Sequence, residues 1–206
     1  TLEYIPGTSP SLVVCLGGTT FGSYANKDGN GSAIGAKYGF ATRTKGIAVK
    51  VLSDADSGWT SDVISGVNFA YQRAKASRRP SVVNMSLGGG LNTALNTAVS
   101  NAISGGLHFT ITAGNSNVDA KTTSPATVST ANTAGAIDSK NVKAYFSNYG
   151  AILDVWAPGV NILLAYIGAP TATTVLSGIS GCPICRWNHC HCPWRIWECL
   201  SCYHEF

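Results

Sequence analysis

The 206-residue sequence is poor in charged residues, which make up only 12% of it. Its net charge of +4 is small, so we do not expect a basic surface that binds nucleic acid. No apolar run approaches the roughly 20 residues that cross a membrane, so we expect no membrane partner. Because 45% of the residues are apolar and 23 are glycine, the composition favours a globular chain over a disordered one.

Cysteine and histidine are nearly missing from the first 180 residues, which contain only Cys15 and His108. The last 25 residues hold the other six cysteines, three histidines and three of the five tryptophans. The length is that of one domain. The break in composition therefore indicates one domain followed by a tail of different character.

The best-defined segment spans residues 80–117 and reads as strand, glycine turn, helix and strand. Residues 81–87 form an apolar, β-branched run, and residues 107–113 form a second one. Between them, apolar residues three and four apart from Leu95 to Ile103 predict a helix. This is the βαβ unit of a parallel sheet. Functional residues collect at the carboxyl ends of such strands, here residues 86–90 and 113–117.

Other elements are less sharply marked. Residues 46–52 predict a buried parallel strand, and Val13-Val14 allows a short one after an N-terminal stretch without clear periodicity. Thr60 or Ser61 can cap a helix. The apolar face of that helix would carry Val63, Ile64, Val67 and Ala70.

Several motifs, in this order, resemble the subtilisin-like serine proteases, and specifically the secreted fungal branch around proteinase K. They are Ser86-Leu87-Gly88-Gly89, Ala113-Gly114-Asn115, Phe-Ser-Asn-Tyr-Gly at 146–150, Leu-Asp-Val-Trp-Ala-Pro-Gly at 153–159, and Leu176-Ser177-Gly178. The resemblance runs from about Gly18 to Ser180. It implies an α/β fold with helices on both faces of a parallel sheet, here incomplete, and an endopeptidase that works through an acyl-enzyme.

The resemblance also assigns site residues. Ser180 matches the nucleophile, although Ile179 and Gly181-Cys182 depart from the family pattern around it. Asn115 matches the oxyanion donor; alternatively, it is an asparagine that suits the turn after Gly114. The residues implied in peptide binding are Ser86, Leu87, Gly88 and Gly89 on one edge of the cleft, Ser57, Gly58 and Trp59 on the other, and Ala113 and Gly114 beside Asn115.

The other half of the catalytic machinery is missing from the sequence. The family's His-Gly-Thr-His segment, which carries the general base, has no counterpart between Gly31 and Ser32. No Asp-Thr-Gly occurs near the N-terminus, and Asp28, Asp54 and Asp56 do not match it. His108 lies within a predicted strand, where we expect a packed side chain. The chain as written is therefore expected to be inactive or nearly so, or to serve as a non-catalytic module that binds peptides by β-augmentation.

The cysteine-rich tail has three interpretations. Cys182, Cys185, Cys199 and Cys202, with His189, Cys190, His191 and Cys192 between them, have the spacing of a zinc site. The tail could instead form disulfides. A third reading is a shifted reading frame: codons for residues 182–198 can be chosen so that the shifted frame encodes a helix like the one that follows the family's catalytic serine. Residues 1–8 allow a similar shift. We accordingly divide the chain into an aberrant segment 1–16, a catalytic-domain core 17–180 and an aberrant tail 181–206.

The resemblance finally implies ligands and partners. It requires no cofactor, but it places Asp154 at a structural calcium site with backbone carbonyls near Ser129 and Ala131; Asp154 is equally readable as an exposed aspartate at a strand end. Expected partners are protein or peptide substrates and an inhibitory propeptide, and the expected form is a secreted monomer. The sequence shows no signal peptide, as in a mature or fragmentary form.

Overall fold

The computed structural model describes residues 12–17, 45–53, 55, 57–165 and 172–181. The strands are β1 Leu12–Gly17, β2 Lys45–Lys50, β3 Ser81–Met85, β4 Gly89–Gly90, β5 His108–Thr112, β6 Thr123–Ser124, β7 Asn132–Ile137, β8 Val155–Pro158, β9 Ile162–Ala165 and β10 Thr173–Leu176. The α-helices are α1 Thr60–Ser77 and α2 Thr93–Ser104, and two short 3-10 helices cover Ala120–Thr122 and Ile179–Gly181.

Six strands form one parallel sheet in the order β2-β1-β3-β5-β7-β8. Two small antiparallel pairs, β4 with β6 and β9 with β10, lie outside it. Parallel neighbours need crossover connections, and α1 and α2 supply two of them, from β2 to β3 and from β3 to β5. The α/β fold and the parallel sheet expected from the sequence are confirmed.

Helices α1 and α2 pack against each other and against one face of the sheet. On that face, cross-strand neighbours of β1, β3 and β5 form a fully buried apolar row: Val14, Leu16, Val83, Met85, Phe109 and Ile111. Gly66 lets α1 approach closely, since a Cβ there would collide with Val51 and reach Leu16. Within the described residues, both α-helices therefore cover the same face.

The opposite face of the central strands is buried but more polar. Asn84 pairs with Thr110 across β3 and β5, and Thr112 follows two residues later on the same face. Thr110 donates a long hydrogen bond of 3.4 Å to the Val83 carbonyl. The described residues thus contain one apolar and one mixed face of the same strands.

The βαβ prediction for residues 80–117 is confirmed, with β3 and β5 two residues shorter than the apolar runs that predicted them. The predicted helix after residue 59 is also present, with Val63, Val67 and Ala70 buried. Its predicted cap is wrong: Thr60 already belongs to α1, and Trp59 occupies the N-cap position without a side-chain hydrogen bond. Its start thus rests on Trp59, whose carbonyl accepts from Asp62 and Val63 N–H.

Two strand predictions need correction in detail. Residues 46–52 were expected to be a buried strand, but β2 ends at Lys50 and is half-buried, because it pairs only with β1 at the end of the described sheet. The strand suggested by Val13-Val14 is real and longer than expected. As β1, it pairs on both sides and crosses the boundary drawn between residues 16 and 17. No helix among the described residues is long and apolar enough to cross a membrane.

Candidate active site

Three chain segments meet at the carboxyl edge of the parallel sheet. Ser86 follows β3, and residues 113–115 follow the neighbouring strand β5. The third segment, Ile179–Gly181, is a single 3-10 turn that follows the β9–β10 hairpin. The sequence predicted the first two positions from the βαβ pattern. The fold brings the third one to them from more than sixty residues away along the chain.

Hydrogen bonds join Ser180 to both strand ends. The Ile179 N–H donates to Asn115 Oδ1 at 3.0 Å, and the Ser86 hydroxyl donates to the Ser180 carbonyl at 2.9 Å. Behind Ser86, Asn84 Nδ2 donates to Ser86 Oγ at 3.0 Å. The Ile179 side chain is buried while Ser180 is exposed, so the turn is anchored with its serine facing outward.

The bond to Ile179 also orients the Asn115 side chain. A backbone N–H can only donate, so the oxygen of the Asn115 amide must face Ile179 and the NH₂ group must point away from it. Asn115 is exposed, which makes both NH₂ hydrogens available to an oxygen placed beside Ser180. The arrangement suits a hydroxyl nucleophile next to a donor for a developing oxyanion.

A sharp turn carries the chain from β5 to Asn115. Gly114 has φ +109°, in the region that favours glycine, and a Cβ there would lie 2.5 Å from Asn148 Nδ2. Ala113, the other residue predicted beside Asn115, is buried. Just beyond, the Lys121 N–H and ammonium group hold the pKa of Asp119 below its ordinary value.

The residues predicted to bind peptide are largely accessible. Gly88 and Gly89 are exposed, and Leu87 is buried beneath them. Ser57, Gly58 and Trp59 are exposed too, with Trp59 79% accessible. The strands that lead into these two edges, β3 and β2, are separated by β1, so they are about 10 Å apart.

His108 is not part of this site. It is exposed at the first position of β5, at the amino edge of the sheet, although a packed side chain within the strand was expected. Five residues of extended chain, about 16 Å, separate it from Ala113. His189, His191 and His204, the tail cysteines, and Asp28, Asp54 and Asp56 lie outside the described residues. The zinc, disulfide and reading-frame interpretations of the tail therefore remain predictions.

Asp154 lies away from Ser180, at the start of β8. It is exposed, and its Oδ2 accepts a 2.7 Å hydrogen bond from the Thr133 N–H while its own N–H donates to the Thr133 carbonyl. This reciprocal pair fixes the carboxylate beside the chain that leads from Ser129 and Ala131 into β7. The part of the chain that the structure describes contains no group of three His, Cys, Asp or Glu side chains able to hold a metal.

Sequence reasoning missed two asparagines behind the site. Asn84 supports Ser86, and Asn148 contacts the loop that carries Asn115. Both occur within motifs already singled out, so the available signal was a polar residue at a position that the fold buries. Their partners lie on other strands or loops, which a local pattern does not reveal.

Comparison with known proteins agrees with this geometry. The chain is 47% identical over 167 residues to the subtilisin-like serine protease Rho m 2.0101 of Rhodotorula mucilaginosa, covering 75% of this chain and 49% of that protein. It is 46% identical over 167 residues to cerevisin of Saccharomyces cerevisiae, covering 74% and 26%. The chain thus spans half or less of the length of these relatives.

A solved structure extends the likeness to the fold. The crystal structure of a cold-adapted subtilisin-like serine proteinase matches with a TM-score of 0.77 at 30% identity, covering 98% of this chain and 80% of that one. The model of the subtilase family, Peptidase_S8, matches residues 16–189, which include β1 and the Ser180 turn. The chain therefore belongs to the subtilase family of serine peptidases.

Proposed function

We propose that this chain is the peptide-binding and nucleophile-bearing part of a serine endopeptidase domain, and that, as written, it binds extended peptides with little or no turnover. The observation that carries the proposal is the turn at Ser180. It is tied to Asn115 through Ile179 N–H and to the end of β3 through Ser86. A hydroxyl and an amide donor are thereby placed side by side at the functional edge of a subtilase sheet.

The chemistry follows from these positions. Ser180 Oγ would attack the carbonyl carbon of a bound peptide, while the amide π electrons move to the oxygen and Asn115 Nδ2 donates to it. The hydroxyl proton must pass to a base, which then protonates the departing amine. His108 is at the far edge of the sheet, so it cannot take that proton. Removal of base and orienting carboxylate leaves only a small residue of the full rate in such sites.

Peptide binding does not need the missing base. The exposed Gly88 and Gly89 present backbone without side chains, and Ser57–Trp59 offers a second exposed edge. An extended peptide between them would be about 4.8 Å from a strand on either side, which is the spacing of β-augmentation. Trp59, with most of its side chain accessible, would pack against the peptide.

The test separates binding from turnover. A fluorescein-labelled extended hexapeptide is titrated with the chain by anisotropy, and the same peptide carrying a p-nitroanilide is monitored for cleavage, for the parent, Ser180→Ala and Trp59→Ala. We expect saturable binding that Trp59→Ala weakens by about tenfold, and equal, negligible cleavage by the parent and Ser180→Ala. Cleavage that disappears in Ser180→Ala contradicts the proposed inactivity, and absence of binding contradicts the peptide cleft.

We also propose that Asp154 helps to bind a structural calcium ion, together with backbone carbonyls near Ser129 and Ala131. Oxygen ligands on loops suit this ion, and the Thr133 N–H orients one carboxylate oxygen and leaves the other for a cation. Calcium is expected to raise the melting temperature of the parent but not of Asp154→Ala. Asp138→Ala, which removes an exposed turn carboxylate elsewhere, should keep the response. Equal responses in all three would contradict the site.

The broader setting is proposed on the family resemblance alone. It comprises secretion, inhibition by a propeptide, and a monomeric working form that cleaves protein substrates. Elution of the purified chain at the mass of one copy would support the monomer, and elution at twice that mass would contradict it.

A further inference from the structure

Asn148 is a fully buried polar side chain that bonds to the loop carrying Asn115. Its Oδ1 accepts from the Ser116 N–H at 3.0 Å and from the Val118 N–H at 3.1 Å, and its Nδ2 donates to the Ala113 carbonyl at 2.7 Å. Its own backbone N–H donates to the Gly114 carbonyl at 2.9 Å. The residues bonded to Asn148 therefore lie on both sides of Asn115 along the chain.

We propose that Asn148 is a positioning residue for Asn115: it holds the turn 113–118 so that the Asn115 amide group faces an oxygen bound beside Ser180. The proposal rests on the proposed function, since it concerns how the same site recognises a negatively charged oxygen. Asn148 would not touch the peptide. It would act only through the backbone on each side of Asn115.

The contacts are those that such a role requires. Asn115 itself is exposed and its side chain has a rotatable amide, so its direction depends on the backbone that carries it. Asn148 uses one acceptor oxygen for two amides and one donor for a carbonyl, which fixes the turn at three points. Gly114 is tailored to this contact, because a Cβ would be 2.5 Å from Asn148 Nδ2.

The surrounding chain supports the same turn. The Asn117 N–H donates to the Phe146 carbonyl, and the Tyr149 N–H donates to the Val118 carbonyl. The bonds of segment 146–149 to residues 113–118 therefore come from backbone as well as from Asn148. Loss of the Asn148 side chain should leave this backbone frame in place while freeing the turn around Asn115. This makes a specific effect on the site separable from unfolding.

The experiment uses two labelled peptides of one extended sequence, ending either in a free carboxylate or in a carboxamide. The carboxylate offers a charged oxygen to Asn115, and the carboxamide reports cleft binding alone. Each is titrated at pH 7 into the parent, Asn115→Ala, Asn148→Ala and Thr133→Ala. Thr133→Ala is the matched control: it removes another fully buried hydrogen-bonding side chain, whose hydroxyl donates to the Ala126 carbonyl and does not contact the turn.

We expect the parent to bind the carboxylate peptide about tenfold more tightly than the carboxamide, as for a hydrogen bond to a charged group. Asn115→Ala should lose this preference. Asn148→Ala should lose most of it while its carboxamide affinity stays within about twofold of the parent, and Thr133→Ala should keep it. If Asn148→Ala keeps the preference that Asn115→Ala loses, the positioning role is overturned.

A second measurement covers the remaining outcomes. Hydrogen exchange at the Ser116 and Val118 amides should be slow in the parent and at least about a hundredfold faster in Asn148→Ala. If the parent binds neither peptide, or if the carboxylate preference is absent altogether, the proposed function or the role of Asn115 fails and the exchange data decide whether Asn148 holds the turn. Fast exchange of both amides in the parent overturns the inference, even if Asn148→Ala does not fold.

Discussion

Asn115 follows a central strand of the parallel sheet, whereas Ser180 follows the β9–β10 hairpin, which is a separate two-stranded sheet. The loop around Asn115 is bonded on both sides by the buried Asn148. The turn at Ser180 is held through Ile179, the Ser180 carbonyl and a 2.8 Å bond from the Gly178 N–H to the Gly159 carbonyl. The hairpin before it exposes Leu163, Val175 and Leu176.

The difference shows that one half of the site takes its order from the core and the other half takes part of its order from the first. Asn115 accepts the bond from Ile179, so displacement of the Asn115 loop should disturb both halves. Displacement of the Ser180 turn should leave the Asn115 loop in place, because Asn148 and not Ile179 holds that backbone.

The largest effect is expected for Gly114→Ala. The change forces a Cβ into a positive-φ backbone and against the buried Asn148 amide, so the free energy of unfolding should fall by about 3 kcal/mol. Gly106→Ala is the matched control: φ is +93°, but nothing lies within 4 Å of the new Cβ, so the loss should be about 1 kcal/mol. Urea denaturation measures both. Equal losses would show that the Asn148 contact does not constrain the turn.

Ile179→Ala should produce the next largest effect and should act on the Ser180 half alone. Ile179 is almost fully buried, and its truncation is expected to cost about 2 kcal/mol. Val175→Ala, in the exposed part of the hairpin, should cost less than about 0.5 kcal/mol. Hydrogen exchange at Ser116 and Val118 should be unchanged in Ile179→Ala. Faster exchange there would mean that the two halves depend on each other in both directions.

Ser86→Ala tests the link between β3 and Ser180. It removes the donor to the Ser180 carbonyl and the acceptor of Asn84 Nδ2, so stability should fall by about 1 kcal/mol. Ser65→Ala removes a hydroxyl that donates to the Ser61 carbonyl on the exposed side of α1, and it should be nearly neutral. Thermal denaturation compares the two. A neutral Ser86→Ala would place the support of Ser180 elsewhere.

The smallest effect concerns acid pH and Asp119, which follows the Asn115 loop. The Lys121 N–H lowers the pKa of Asp119 below 3.8 in the folded chain, so the stabilisation is present above the unfolded pKa and is lost as pH falls through the folded pKa. Melting temperatures of the parent should therefore drop more steeply below pH 4 than those of Asp119→Asn. Parallel curves would show that Asp119 contributes nothing to acid sensitivity.

Local patterns predicted much of the fold. The apolar runs of β3 and β5 and the helical spacing of α2 were sufficient for a βαβ unit, because each element has its own periodicity. The start of α1 was misassigned because no side chain caps it, and β2 was expected to be more buried than an edge position allows. Strand β1 was only partly seen, since a short strand beside prolines carries little local signal.

By itself, the sequence determined the order of the motifs, the positions of Ser86, Asn115 and Ser180, and the absence of a histidine beside any of them before residue 181. Only the tertiary structure decided which of these residues meet. Ser180 reaches Asn115 from 65 residues away, and Asn148 reaches the same loop from 33, because parallel strands bring their carboxyl ends to one edge. Such contacts depend on the order of strands in the sheet and not on spacing along the chain, so a pattern of residues alone does not contain them.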